Sequence, residues 1–185
     1  MQEITAAGVV VAGREYELDG IIYASGFEVG TAYTRRAGFE VTGRGGRALS
    51  EHWSGGMRTL HGIHVRGFPN LLFGQPAQGA NLISNIPHNI VDSARTIALT
   101  VRRALDDAFA AVEPSQGAED AWVALLRSGP GSIIGGPDCT PGYYNNEGQD
   151  PGAFLGLGYP YGPNAYFAYI DRWRASGAFD GLEFR

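Results

Sequence analysis

An acidic residue opens, and small residues and a glycine close, the apolar run Asp19-Gly20-Ile21-Ile22-Tyr23-Ala24-Ser25-Gly26-Phe27. A strand covered on both faces of a parallel sheet reads this way, because neither face needs polar alternation. The pattern predicts a core strand from Gly20 to Ser25. At its carboxyl end Ala24, Ser25 and Gly26 leave almost no side chain. In open α/β sheets that end is where ligands meet the backbone, and glycine permits close approach. The same residues also describe a core strand followed by an ordinary turn.

The rest of the chain mixes short strands with helices. Val9–Val11 and Glu15–Leu18 flank an Ala12-Gly13-Arg14 turn and predict a β-hairpin. A second hairpin is expected around Gly43–Gly46, with Trp53 in a short helical turn, and two strands at Ile63–Val65 and Leu71–Phe73. Ile86, Ile90, Ala94, Ile97, Val101, Ala104, Leu105 and Ala108 recur at three- and four-residue steps. They predict one long helix from about Asn85 to Val112 with one apolar face. Pro87 suits its first turn. Further helices are expected at 118–127 and 163–176, the last with Tyr166, Ile170 and Trp173 on one face and Gly177 as its stop. Between them, residues 128–160 lose all periodicity, and loops of that length in compact domains are usually functional or mobile.

Composition narrows the function classes. The formal net charge of -5 and the lack of a basic stripe argue against nucleic acid. No apolar run approaches the roughly 20 residues that span a bilayer. The single cysteine, Cys139, excludes an internal disulfide and fits a reducing cytoplasm.

Several polar groupings could carry chemistry. Gln75, Gln78, Gly79, Ala80, Asn81 and Asn85 lie between a strand end and a helix start, where free backbone N–H groups and the positive end of the helix dipole gather. An ordinary loop capped by Ser84 or Asn85 has the same sequence signature. Ser84, His88 and Asp92 are four apart, but successive helical turns are about 5.4 Å apart, too far for a histidine held between serine and aspartate. His61 and His64, read on a strand, would point to opposite faces and could not share a metal.

Three ordered blocks carry a family resemblance. Residues 19–27 resemble the D-x-I/V-x-x-A-T-G-F strand of class B flavoprotein monooxygenases, with Ser25 in place of threonine. Gly67-Phe68-Pro69-Asn70-Leu71-Leu72-Phe73 is similar to their G-F-P-N-L-F strand, again followed by a long helix. Gly158–Pro163 and Gly181–Phe184 resemble their closing segments. The chain is most like the Baeyer–Villiger monooxygenases, and the resemblance covers nearly all of it. Neither G-x-G-x-x-G nor the family's F-x-G-x-x-x-H-x-x-x-W fingerprint is present. The family's active-site arginine would lie upstream. The chain thus resembles the C-terminal third of such an enzyme, a fragment inactive by itself.

The resemblance implies an α/β fold, the C-terminal part of a flavoprotein with two Rossmann-like, FAD- and NAD(P)-binding domains. Residues 1–27 would return from the NADPH domain, 28–127 would complete the FAD domain with the long helix, and 128–185 would form a mobile loop and closing helix and strand. It implies FAD and NADPH as cofactors, and a small-molecule ketone and O2 as substrates. Oxygen insertion through a flavin C4a-peroxide would give an ester or lactone. The missing N-terminal part of the same enzyme would be a partner, in the cytoplasm. Cofactor contacts would come from Ala24, Ser25, Gly26, Gln75, Asn81, Leu82, Asn85 and Ile86. A helix N-terminus at the flavin edge would stabilise the negative charge of the reduced ring. The 132–146 loop would be a lid, with Ile133 where many members carry tryptophan and Cys139 beside it. An N- or S-oxidising flavin monooxygenase, and a non-catalytic α/β segment, are the competing readings.

Overall fold

In the computed structural model, residues 2–24, 31–74, 78–80, 84–129, 140–142, 148 and 157–185 are described. An N-terminal meander comes first. Strands β1 (Glu3–Ile4), β2 (Gly8–Val11) and β3 (Arg14–Glu17) form an antiparallel sheet in sequence order. The expected hairpin is the β2–β3 pair, in register from Gly8 opposite Glu17 to Val11 opposite Arg14. Its two linking residues, Ala12 and Gly13, have φ of 51° and 75°. Positive φ at both positions is what a tight hairpin turn requires.

The strand expected from Gly20 to Ser25 is not formed over its described part. Residues 20–24 are extended by no ladder, and Ile22 and Tyr23 are 94% and 69% exposed. A parallel core strand gains its stability from neighbours on both edges and layers on both faces. None of the described strands pairs with this segment.

Residues 31–74 are mostly turns. Helix α1 (Tyr33–Ala37) was not foreseen, whereas the 3₁₀ turn at Arg44–Gly46, closed by a Thr42–Ala48 bridge, and helix α2 (Leu49–His52) before Trp53 match expectation. The strands expected at 63–65 and 71–73 reduce to single bridges, Leu60 with His64 and His64 with Leu72. The structure also explains the G-F-P-N block. Phe68 packs with Leu49 and Val65 in one core cluster. Asn70, at φ 63°, donates its side-chain amide to the Ala110 carbonyl (3.0 Å) and accepts from the Val112 N–H (3.0 Å). Gly67 N–H donates to Glu113 Oε2 at 2.9 Å. That buried carboxylate also meets Arg44 at 2.8 Å and Arg185 at 3.0 Å.

Helix α3 runs from Ile86 to Asp106, shorter at its end than the sequence suggested, because Val112–Pro114 forms strand β4. Helix α4 (Gln116–Arg127) starts at Ser115, whose hydroxyl accepts from the Ala118 N–H at 3.2 Å. Helix α5 (Pro163–Ser176) buries Tyr166, Ile170 and Trp173 and ends at Gly177, as expected. Strand β5 (Leu182–Phe184) then pairs antiparallel with β4. The main core joins Leu60, Ala80, Trp122, Leu126, Tyr166 and Ile170.

The apolar face of α3 is not its buried face. The buried residues of α3 are Asn89, Asp92, Ser93, Thr96 and Thr100, not the apolar stripe. Ser93 and Thr100 donate their hydroxyls to the carbonyls four residues back, at 2.7 and 2.9 Å, which satisfies them internally. Such short side chains let α3 pack closely. Ile90, Val91, Val101 and Leu105 stay exposed. Among the described residues no helix is long and apolar enough to cross a membrane.

Candidate functional site

The turn Gln78–Ala80 is held more firmly than its position between a bridge and a helix would suggest. Gln78 is buried, and its amide donates to the Met57 carbonyl at 2.7 Å while its Oε1 accepts from the Thr59 hydroxyl at 2.8 Å. Trp122 Nε1 donates to the Gln78 carbonyl at 3.2 Å, and the Tyr159 N–H donates to the Gly79 carbonyl at 2.9 Å. Gly79 lies flat on Tyr166, where an added Cβ would come within 2.6 Å of the ring. The Tyr166 hydroxyl in turn donates to the His61 carbonyl at 2.9 Å. Three stretches of chain therefore converge on three residues.

Six residues beyond Ala80, α3 begins. Asn85 caps it weakly, its side chain accepting from the His88 N–H at a long 3.4 Å, and Ile86 is the first helical residue. His88 stacks edge-on against Phe167 of α5, ring centres 4.5 Å apart. One turn on, the buried Asp92 carboxylate takes Arg174 of α5 at 2.6 Å, and the same guanidinium donates to the Asp92 carbonyl (2.9 Å) and the Thr96 hydroxyl (3.1 Å). These contacts fix the amino end of α3 against α5. They also dispose of a Ser84–His88–Asp92 triad, since the Ser84 hydroxyl donates to Asn89 Oδ1 at 2.6 Å and Asp92 is engaged by arginine.

Of the predicted cofactor contacts, Asn85 and Ile86 sit together at this helix start, and Ala24 ends the exposed 18–24 stretch. Ser25, Gly26, Gln75, Asn81 and Leu82 lie outside the described residues, as does the 132–146 lid apart from 140–142, including Ile133 and Cys139.

His61 and His64 are not on a strand. His61 sits in a turn at φ 59°, boxed by Trp122, Tyr169 and Trp173, and both imidazoles are buried. Burial first, and then the neighbouring His64, push His61 down to about 3; burial pushes His64 down to about 4. Both are neutral rings of the core. His61 also lines a groove of about 490 Å³ between α4 and α5, which shares no residue with the predicted contacts. The holding residues Gln78, Tyr166 and Arg174 were not assigned that role from sequence. A glutamine next to glycine was the available signal for the first.

No family profile matches the chain. Individual proteins do. It is 40% identical over 190 residues to pentalenolactone D synthase of Streptomyces arenae, covering 100% of this chain and 32% of that protein. It is 37% identical to the FAD-binding monooxygenase hmp7 of Hypomyces subiculosus, covering 99% and 31%. It is 39% identical to Baeyer–Villiger monooxygenase 4 of a Dietzia species, covering 98% and 30%. Among solved structures, the polycyclic ketone monooxygenase of Thermothelomyces thermophila superposes with a TM-score of 0.77 at 27% identity, over 98% of this chain and 30% of that one. Cyclohexanone monooxygenase from Rhodococcus sp. Phi1 bound to NADP+ gives 0.72 at 26%, over 99% and 33%. The chain spans about a third of the length of the relatives it matches.

Proposed function

We propose that this chain, homologous along its whole length to a C-terminal portion of the Baeyer–Villiger monooxygenases, serves in an FAD- and NADPH-dependent enzyme that converts a small ketone to an ester or lactone with O2. The carrying observation is the rigid seat of the Gln78–Ala80 turn and the α3 amino end, in a segment alignable from end to end with that family. Residues 1–27 would return from the NADPH domain, 28–127 would complete the FAD domain, and 128–185 would supply the loop and closing helix and strand. The reducing setting suited to Cys139 is cytoplasmic.

On this reading the described residues would meet one edge of a flavin and not a whole dinucleotide. A 21-residue helix starts at an exposed Asn85, which puts the positive end of its dipole there; Pro87 brings no N–H and the His88 N–H is taken by Asn85. No glycine-rich phosphate turn occurs in the chain. Ala24, Ser25 and Gly26 would bring backbone close to the cofactor, and Gln75, Asn81, Leu82, Asn85 and Ile86 would line its ring edge. FAD, when bound, supplies the electron transfer and oxygen activation. The chain's own share is to hold the ring edge through the α3 start, to offer the positive end of the helix dipole to negative charge there, and to keep that geometry fixed through Tyr166 and Arg174.

The test grafts the chain in place of the matching segment of the Dietzia enzyme. Ketone-dependent NADPH oxidation with one ¹⁸O atom from ¹⁸O2 in an ester product is expected. Asn85→Leu should lower turnover per bound flavin, an effect separate from the stability of about 0.5–2 kcal/mol that goes with a lost cap. A graft that holds FAD but oxygenates only amines or sulfides would replace this reading by the N- or S-oxidising one. The isolated chain should lose FAD on desalting.

A further inference from the structure

The groove of about 490 Å³ between α4 and α5 lies outside the predicted cofactor contacts. Its size falls in the range of roughly 300–1,000 Å³ usual for small-molecule pockets. Trp122, Tyr169 and Trp173 line it, together with Leu60 and Leu125. The two indoles are fixed by their own hydrogen bonds. Trp122 Nε1 donates to the Gln78 carbonyl at 3.2 Å, and Trp173 Nε1 donates to the Asp180 carbonyl at 2.9 Å. What the rings offer to the groove is therefore flat apolar surface, which suits a flat aromatic body.

Two charges stand on this groove without partners. Arg172 and Asp180 both line it and are exposed, and among the described residues neither enters an ion pair. Exposed arginines of α3 behave differently, Arg102 pairing with Asp106 at 2.8 Å and Arg103 with Asp107 at 2.7 Å. Both groove charges reach the same phenol. Burial pushes the Tyr169 hydroxyl up, Tyr159 and Asp180 add to this, and Arg172 opposes it. His61 adds no third charge, because burial holds it neutral. Its Nε2 lies 3.3 Å from the Tyr169 hydroxyl, and its buried Nδ1 has no hydrogen-bond partner among the described residues. The wall of the groove is thus one hydrogen bond short.

We infer that this groove binds a small aromatic zwitterion, a flat ring that carries one carboxylate and one ammonium, of the size of an aromatic amino acid. The ring lies against Trp122, Tyr169 and Trp173, the carboxylate meets Arg172, and the ammonium meets Asp180. A carboxylate alone would gain Arg172 and face Asp180 uncompensated, and an ammonium alone would do the reverse. An uncharged ring would use neither. The preference is modest, since both side chains are exposed. It stands independently of the flavin reading.

The test uses the three tryptophans of the ¹⁵N-labelled 185-residue chain. The indole N–H signals of Trp122 and Trp173 report on the groove. That of Trp53, packed between Tyr33 and Phe73, is the internal control. The probes are L-tryptophan, tryptamine, indolepropionate and indole at low salt. L-Tryptophan should shift the Trp122 and Trp173 signals but not that of Trp53, and should half-saturate at a several-fold lower concentration than the other three. Raising the salt should erase that preference. Arg172→Gln should bring L-tryptophan to the level of tryptamine without weakening tryptamine itself. Asp180→Asn should bring it to the level of indolepropionate. Both variants replace exposed, unpaired side chains, so their signals without ligand should match those of the native chain. Indole or a singly charged probe binding as tightly as L-tryptophan overturns the inference. So does an equal shift of Trp53, or no shift up to the solubility limit. Signals that move with protein concentration instead of probe would make a second copy the occupant and overturn it as well.

Discussion

Replacing Arg174 by methionine should destabilise the chain far more than neutralising an exposed arginine such as Arg102. The guanidinium bridges α5 to α3 through Asp92 Oδ1 at 2.6 Å, the Asp92 carbonyl and the Thr96 hydroxyl. Both side chains of the pair are only 8% exposed, and among the described residues Asp92 Oδ2 already lacks a hydrogen-bond partner. Methionine keeps most of the aliphatic stem but leaves a buried carboxylate unpaired, a change that costs about 3–5 kcal/mol. The second partner, Asp171, is 68% exposed, so losing that pair adds little. For a chain of this size the loss corresponds to a fall in melting temperature of roughly 6–20 °C. Asp92→Asn keeps an acceptor for Arg174 and should cost about 1–2 kcal/mol. The double variant Arg174→Met/Asp92→Leu removes both charges and should recover much of the deficit. Guanidinium chloride unfolding followed by circular dichroism gives all three values, and a double-mutant cycle isolates the coupling. An Arg174→Met variant within about 1 kcal/mol of the native chain would refute the idea that this pair fixes α3.

Two further outcomes follow from the same seat. Gly79→Ala places a Cβ 2.6 Å from the Tyr166 ring, and the forced shift should cost about 1–3 kcal/mol in chemical denaturation, with Tyr166→Leu relieving part of it. His61 and His64 are held near 3 and 4, below the unfolded value of 6.5, so the unfolded chain binds more protons between those limits. Their contribution to stability is complete above pH 6.5 and is lost as the pH falls toward about 4 for His64 and about 3 for His61. The slope should approach about 1.4 kcal/mol per pH unit for each ring. A His61→Phe/His64→Leu variant should show a flatter profile in urea titrations between about pH 4 and 7, and an unchanged slope would mean the rings are not buried neutral.

Local chemistry was legible wherever the element stabilises itself. The hairpin at 8–17, the α5 helix with its three buried residues and the Asn85 start of α3 all follow from turn residues, capping and period. The G-F-P-N block and the closing segments were enough to point to a flavin monooxygenase family that whole-length similarity supports. What the sequence could not decide was which apolar surface has a partner. The run at 20–24 has the composition of a core strand, and the aliphatic stripe of α3 has the period of a core face, yet both are exposed. Apolar pattern states that a surface must be covered and is silent on what covers it. Only the tertiary structure shows that Asp92 and Arg174 commit the small polar face of α3 to this chain's own core, through a buried pair whose partners lie 82 residues apart. Separations of 21, 44 and 105 residues likewise hide the clamp of Gln78, Trp122 and Tyr166 on the turn before α3. Hydrogen bonds between remote residues leave no periodic trace, so the site's neighbourhood was readable in advance and the contacts that hold it were not.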